Sequence, residues 1–361
     1  MKWVLSVFFI LPFKTYAQSL DSVVHELSIK FQYTSIWTER TSLRPFTQDH
    51  PWSVQIDWGI THNSKKSWSY CNCYTQNGLS VGYINFSDPT HLGQAMTFAA
   101  FTEPYIFRSD RFSLSVRGGT GLAFLNKLYD STSNREAIFF STKMSYLLSL
   151  GINVSYRLSD YFYMKASAQL NHISNGGRKD PNEGMNFPGG LISLNYVLNP
   201  KPFPVRLKEK FTHKPLGVIA HAFGSTRTAQ ATSVFQAESR LVLGLNLGLM
   251  KKIGRMNGLA IGGEYYYDGI NEVYHQRTNQ LLQTIVGGLN LQHYLFLGKL
   301  LFGQQVAWYL TPNTGFQNSI YQRYFLEYEV KKNWYAGFTL KAHGDHSDYF
   351  AFATGYFFKL N

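Results

Sequence analysis

The chain has 361 residues, and charged residues make up only 16% of it, as do aromatics. That charge content is low against the roughly 25% of soluble proteins. The formal net charge of +12 would suit nucleic acid in an intracellular protein. An export leader argues against that partner, and anionic lipid headgroups or a phosphorylated glycolipid suit the charge better. Beyond the leader no run of about 18 uninterrupted apolar residues occurs, which excludes a transmembrane helix.

Residues 1–17 read as a secretory signal peptide. Lys2 gives a positive start, Trp3 to Phe13 an apolar run, and Thr15-Tyr16-Ala17 a small-residue cleavage site. Export in a two-membrane bacterium leads to the periplasm, the outer membrane or beyond. Cys71 and Cys73 follow as C-x-C. Two such close positions bridge only with strain, so a reduced pair or a loop disulfide is expected. Further ligands for a metal are missing nearby.

The dominant pattern from residue 25 onward is period-two alternation. Strands are expected at 25–38, 52–62, 78–87, 95–108, 112–127, 142–157, 161–175 and 187–198. After a break they follow at 216–227, 233–252, 256–268, 281–297, 300–311, 319–331, 333–343 and 348–360. In 142–157 the even positions Met144, Leu148, Leu150, Ile152 and Val154 are apolar, and Ser145, Ser149, Gly151 and Asn153 lie between them. In 233–252 the odd leucines Leu241, Leu243, Leu245, Leu247 and Leu249 form one face. Glu264 and Asp268 fall on the opposite, lumenal side of their strand, where a polar network is expected.

Residues 199–215 carry four prolines and a run of charges and read as a linker. The expected units are therefore a leader (1–17), a first β half (18–198), the linker (199–215) and a C-terminal β half (216–361). The last strand, with Ala353 to Leu360 reading ATGYFFKL, looks like the terminal strand signal of outer-membrane barrels. The fold expected is all-β, an antiparallel transmembrane β-barrel of the bacterial outer membrane. Both halves carry an apolar face that must meet lipid, which favours one barrel of about 14–16 strands. The alternative is an eight-stranded barrel followed by a second barrel-like unit.

One segment carries chemistry: Asn171 to Asn186, NHISNGGRKDPNEGMN. Phe162, Met164, Ala166, Ala168 and Leu170 form the lipid face of its strand, and His172 and Ser174 continue that face. A polar pair facing lipid is least costly near the membrane interface. If the first strand starts in the periplasm, the seventh runs outward and ends at the outer leaflet. A histidine beside a serine hydroxyl is the minimum equipment for an activated nucleophile, and its position points to a lipid substrate.

The stretch HISNGGRKDPNEGMN resembles the active-site segment of the outer-membrane lipid A 3-O-deacylases of the PagL type. Upstream, Gly119 to Asp130, GTGLAFLNKLYD, is similar to a companion motif in the longer acyloxyacyl hydrolases. The resemblance covers roughly residues 80–198. It implies a β-barrel serine esterase that removes an ester-linked acyl chain from lipid A, the lipid anchor of lipopolysaccharide, without metal or cofactor. It makes Ser174 the nucleophile and His172 the general base, with Asn175 and the N–H of Gly176 as an oxyanion hole. The family's acidic residue, fourteen positions after the histidine, is here Asn186. An asparagine can orient a histidine, and Glu183 is the second candidate for that role. Arg178 and Lys179 could pair with lipid A phosphates. Other functions stay open: a non-catalytic channel or structural barrel, or an outer-membrane phospholipase. A homodimer is a possible assembly.

Overall fold

The computed structural model describes residues 22–212, 214–229, 231–314, 319–344 and 346–360. The expected leader, 1–17, lies outside them. Within the described residues the chain forms sixteen antiparallel strands, two short α-helices and one 3-10 helix, Thr41–Gln48. The first eight strands are β1 (Val23–Thr34), β2 (Trp52–His62), β3 (Thr75–Asn85), β4 (Gln94–Arg108), β5 (Phe112–Leu125), β6 (Met144–Arg157), β7 (Phe162–Ser174) and β8 (Met185–Val197). The second eight are β9 (Leu216–Ala229), β10 (Glu238–Lys252), β11 (Asn257–Asp268), β12 (Ile285–Leu297), β13 (Leu300–Tyr309), β14 (Ile320–Lys331), β15 (Trp334–His343) and β16 (His346–Leu360). Helix α1 (Lys65–Cys71) joins β2 to β3, and α2 (Ile270–Thr278) joins β11 to β12.

The expectation of one wide barrel is corrected. Strand β8 returns to β1, from Glu26 opposite Val197 to Thr34 opposite Gly189. Strand β16 likewise returns to β9. The result is two closed barrels of eight strands, the architecture expected only as the alternative. Each half meets the demand for a paired edge by itself, so neither needs the other's strands.

The alternation is that of a membrane barrel. On β1, Leu27, Ile29, Phe31 and Tyr33 are exposed, while Glu26, Ser28, Lys30 and Gln32 are buried inside. Eight strands leave a lumen just wide enough for side chains to fill. In the first barrel Asp57 takes Lys30 at 2.5 Å and Arg117 at 2.8 Å, and Glu103 takes Lys165 at 2.6 Å. In the second, Arg323 holds Glu264 with two bonds, of 2.8 and 3.0 Å. Arg227 pairs with Asp268 at 2.5 Å, so both expected lumenal carboxylates sit in ion pairs.

One end of the first barrel is capped by an apolar cluster that includes Leu43, Phe46, Phe86, Phe139, Phe140, Ile173 and Met185. The opposite end is tied to the second barrel. Residues 199–212 of the linker lie across it: Asn63 donates to the Pro202 carbonyl at 3.0 Å, and the Tyr74 hydroxyl donates to the Pro204 carbonyl at 2.7 Å. Arg255, in the β10–β11 turn, donates to the carbonyls of Ser69 and Glu209, both at 3.0 Å. Cys71 and Cys73 form a disulfide at the end of α1, beside this junction.

Candidate active site

The hairpin of β7 and β8 builds the site. Its register sets His172 directly opposite Asn186, and Ile173 opposite Met185. Ile173 and Met185 point inward and are fully buried in the apolar cap, which fixes the hairpin's facing. His172 and Ser174 therefore share the outward face of β7, as their parity predicts. Asn186 Oδ1 lies 2.8 Å from His172 Nδ1. With Nδ1 carrying the proton, that bond leaves Nε2 as the free base.

Ser174 is only 8% exposed, although its face looks outward. The loop 175–184 folds back over it. Its Oγ accepts from Asn182 Nδ2 at 2.9 Å and from the Gly176 N–H at 3.2 Å. Two donors occupy both lone pairs, so the hydroxyl's own proton is free for a base. The histidine is close by. A Cβ built on Gly184 would lie 3.0 Å from His172 Cε1 and 3.1 Å from Ser174 Cβ. The two side chains thus flank one point, and the φ of +65° at Gly184 lets only glycine occupy it comfortably.

The other expected residues divide. Arg178 and Lys179 are exposed at the rim. Asn175 is fully buried, and its donors are committed to the loop. Its N–H goes to Asn182 Oδ1 at 3.0 Å, and its Nδ2 goes to Ser141 Oγ at 3.0 Å and the Lys179 carbonyl at 2.7 Å. Glu183, the second candidate to orient the histidine, is drawn away. Its carboxylate pairs with Arg40, and its N–H donates to the Ile138 carbonyl at 3.2 Å.

Two contributors were not assigned a role from sequence. Asn182 bridges the Ser174 hydroxyl and the Asn175 amide; it stands in the quoted motif, but nothing in a linear spacing shows that the loop doubles back. Ser141 comes from the β5–β6 loop and donates to the Lys179 carbonyl at 2.6 Å. The companion motif, Gly119 to Asp130, runs from β5 into the start of that loop. There the Asp130 carboxylate accepts from the N–H groups of Ser133 and Thr132, at 2.8 and 2.9 Å, which hold it below its ordinary pKa.

Below the pair, the outward face of β7 carries Leu170 and then two small residues. Ala166 and Ala168, with Gly190 of β8 beside them, form the floor of a furrow of about 760 Å³. Ile152, Val154 and Ile192 line its sides. The furrow opens on the lipid-facing surface, and its lining on β7 ends at Ala168, four positions before His172.

Residues 38–195 match the family model for lipid A 3-O-deacylase (PagL), and residues 218–360 match the model for the C-terminal domain of acyloxyacyl hydrolase. No curated protein sequence matches the chain. Among solved structures, the outer-membrane enzyme PagL is similar at 13% identity and a TM-score of 0.34, over 46% of this chain and 97% of that one. The β domain of the Bordetella autotransporter BrkA is similar at 10% identity and a TM-score of 0.26, over 94% of this chain and all of that one. These structural likenesses are too distant to add weight; the two family models, between them covering both barrels, carry the assignment. The chain belongs to the lipid A 3-O-deacylase family, ester hydrolases of the bacterial outer membrane, in a form that bears a second barrel of the acyloxyacyl hydrolase C-terminal type.

Proposed function

We propose that this chain deacylates lipid A by a serine esterase mechanism run on the β7–β8 hairpin. The observation that carries it is the bond from His172 Nδ1 to Asn186, with Ser174 beside the same ring. His172 Nε2 takes the Ser174 proton as Oγ attacks the ester carbonyl. As Oγ closes on the carbonyl carbon, the Gly176 N–H and Asn182 Nδ2 that rest on Oγ turn to the former carbonyl oxygen, where the tetrahedral oxyanion forms. Collapse expels the sugar hydroxyl, which receives its proton from the imidazolium. Water, activated by the same nitrogen, then releases the fatty acid from Ser174.

The acyl chain lies along the furrow over Ala168 and Ala166, and the phosphorylated sugar stays at the rim, where Arg178 and Lys179 meet its phosphates. If β1 begins in the periplasm, β7 ends at the outer leaflet, where lipid A resides. Asn186 orients the base in place of the family's acidic residue, at the cost of the charge that would stabilise imidazolium.

The test is to incubate the purified protein with lipopolysaccharide and weigh the lipid A by mass spectrometry. Loss of one hydroxyacyl mass, abolished in both Ser174→Ala and His172→Ala, is the expected result. Unchanged lipid A, or cleavage of phospholipid alone, would overturn it.

A further inference from the structure

The two barrels also touch at the site end, and the contact lies beside the nucleophile. Tyr146 of β6 is the cross-strand partner of Ser174, so the two side chains are neighbours on the outward face. Phe350 of β16 stacks on Tyr146, with ring centroids 4.4 Å apart and planes 23° apart. Phe338 of β15 backs Phe350 at 4.9 Å.

The same strand meets the glycine turn after Ser174. A Cβ at Gly176 would lie 3.3 Å from Phe350 Cβ, and one at Gly177 would lie 2.7 Å from the Asp348 carbonyl. Gly176 and Gly177 both have positive φ, +67° and +77°. The strand end is anchored from inside its own barrel: Asp348 takes Lys341 at 2.5 Å and His343 Nδ1 at 2.9 Å.

We propose that the second barrel completes the substrate site of the first, with Phe350 and Tyr146 as a wall that admits only esters of a single, unbranched acyl chain. The inference rests on Ser174 being the nucleophile. Around Ser174 the two flanks differ. On the flank that runs down the strand toward β8, Ala168 and Ala166 of β7 and Gly190 of β8 leave room for one chain. On the β6 flank, two stacked rings stand against Ser174 and the turn that follows it. An acyl group carrying a second chain near its carbonyl needs both flanks at once. One chain enters the furrow and the other strikes the wall, so the carbonyl cannot reach Oγ. Phe350 thereby acts on selectivity rather than on the chemical step, and the role belongs to a barrel that contributes no group to the His172–Asn186 pair.

The full chain in detergent micelles is assayed with p-nitrophenyl esters of a straight-chain 3-hydroxy acid and of the same acid bearing a second acyl chain on its hydroxyl. Phe350→Ala is expected to raise the branched-to-straight ratio of kcat/KM about tenfold, and Phe350→Tyr to keep the wild-type ratio. Phe350 faces out of its barrel, so the lumenal ion pairs survive the change. If Phe350→Ala loses the heat-modifiable gel migration of a folded barrel, Phe350→Leu carries the test with the same expected direction. An unchanged ratio in the folded variant, with Ser174→Ala inactive, overturns the wall while leaving the esterase standing. Hydrolysis by Ser174→Ala at the wild-type rate overturns the nucleophile and the wall together.

Discussion

At the scale of single residues, the question is how a histidine works with an amide behind it. Asn186 Oδ1 stands 2.8 Å from the ring at Nδ1, and an amide brings no charge to an imidazolium. Asn186→Ala should lower kcat by about tenfold or more, because the ring loses its orienter. Asn186→Glu should raise kcat above wild type, since a carboxylate there supplies the missing charge. Steady-state kinetics on purified lipid A measures both, and a Glu variant slower than Ala would remove Asn186 from the machinery. Asn182 makes a second test. Its Nδ2 sits 2.9 Å from Oγ, so Asn182→Ala should cost about 10²-fold in kcat with little change in KM. A KM effect alone would make it a loop residue. The shared outward face of His172 and Ser174 was legible because strand parity sets it. Asn182 and Ser141 were not, since each acts through a loop that folds back across tens of residues or a handful, and no period records such a fold.

At the scale of elements, the β7–β8 hairpin shows which parts of the chain speak for themselves. All sixteen strands follow from alternation, because each has one face toward lipid and one toward a polar lumen. The helices do not follow. Helix α1 has seven residues and α2 nine, too short to display an apolar stripe. Two substitutions probe the hairpin. Gly184→Ala adds a Cβ at φ +65°, within 3.0 Å of the His172 ring. It should destabilise the barrel by about 1–2 kcal/mol and depress kcat by moving the base; urea unfolding and kinetics read the two effects separately. Gly190→Leu is its opposite. A Cβ there meets no atom within 4 Å, so the fold should tolerate it, while the leucine fills the furrow. KM for long-chain substrates should rise several-fold, and KM for short-chain esters should stay near wild type. Equal effects on both would show that the chain does not run there.

At the scale of the whole molecule, the filled lumens decide between enzyme and channel. Lys165 and Glu103 are each almost wholly buried, and Arg117 lies 3.5 Å from the same carboxylate. Glu103→Ala takes the bonded carboxylate from Lys165, while Arg117 keeps Asp57, and should cost about 3–5 kcal/mol, seen as a lower midpoint in urea. The wild-type protein should conduct no ions above baseline in planar bilayers. Steady conductance would mean that the lumens open. Whether the halves make one barrel or two was not legible in the sequence. Both arrangements use the same strands with the same faces, and only the long-range pairing of β8 with β1 rather than β9 separates them.

The closure of each half at eight strands has a consequence for how this chain can change. Eight is even, so each barrel begins and ends on the same side of the membrane, and 199–215 need only hop between neighbours there. The last hairpin of each barrel, β7–β8 and β15–β16, therefore turns on the opposite side. Parity alone thus delivers Phe350 to the level of Ser174. Strands can be gained or lost in pairs without parting them, whereas a single strand inserted between β7 and β16 would carry Phe350 to the other side of the membrane from Ser174.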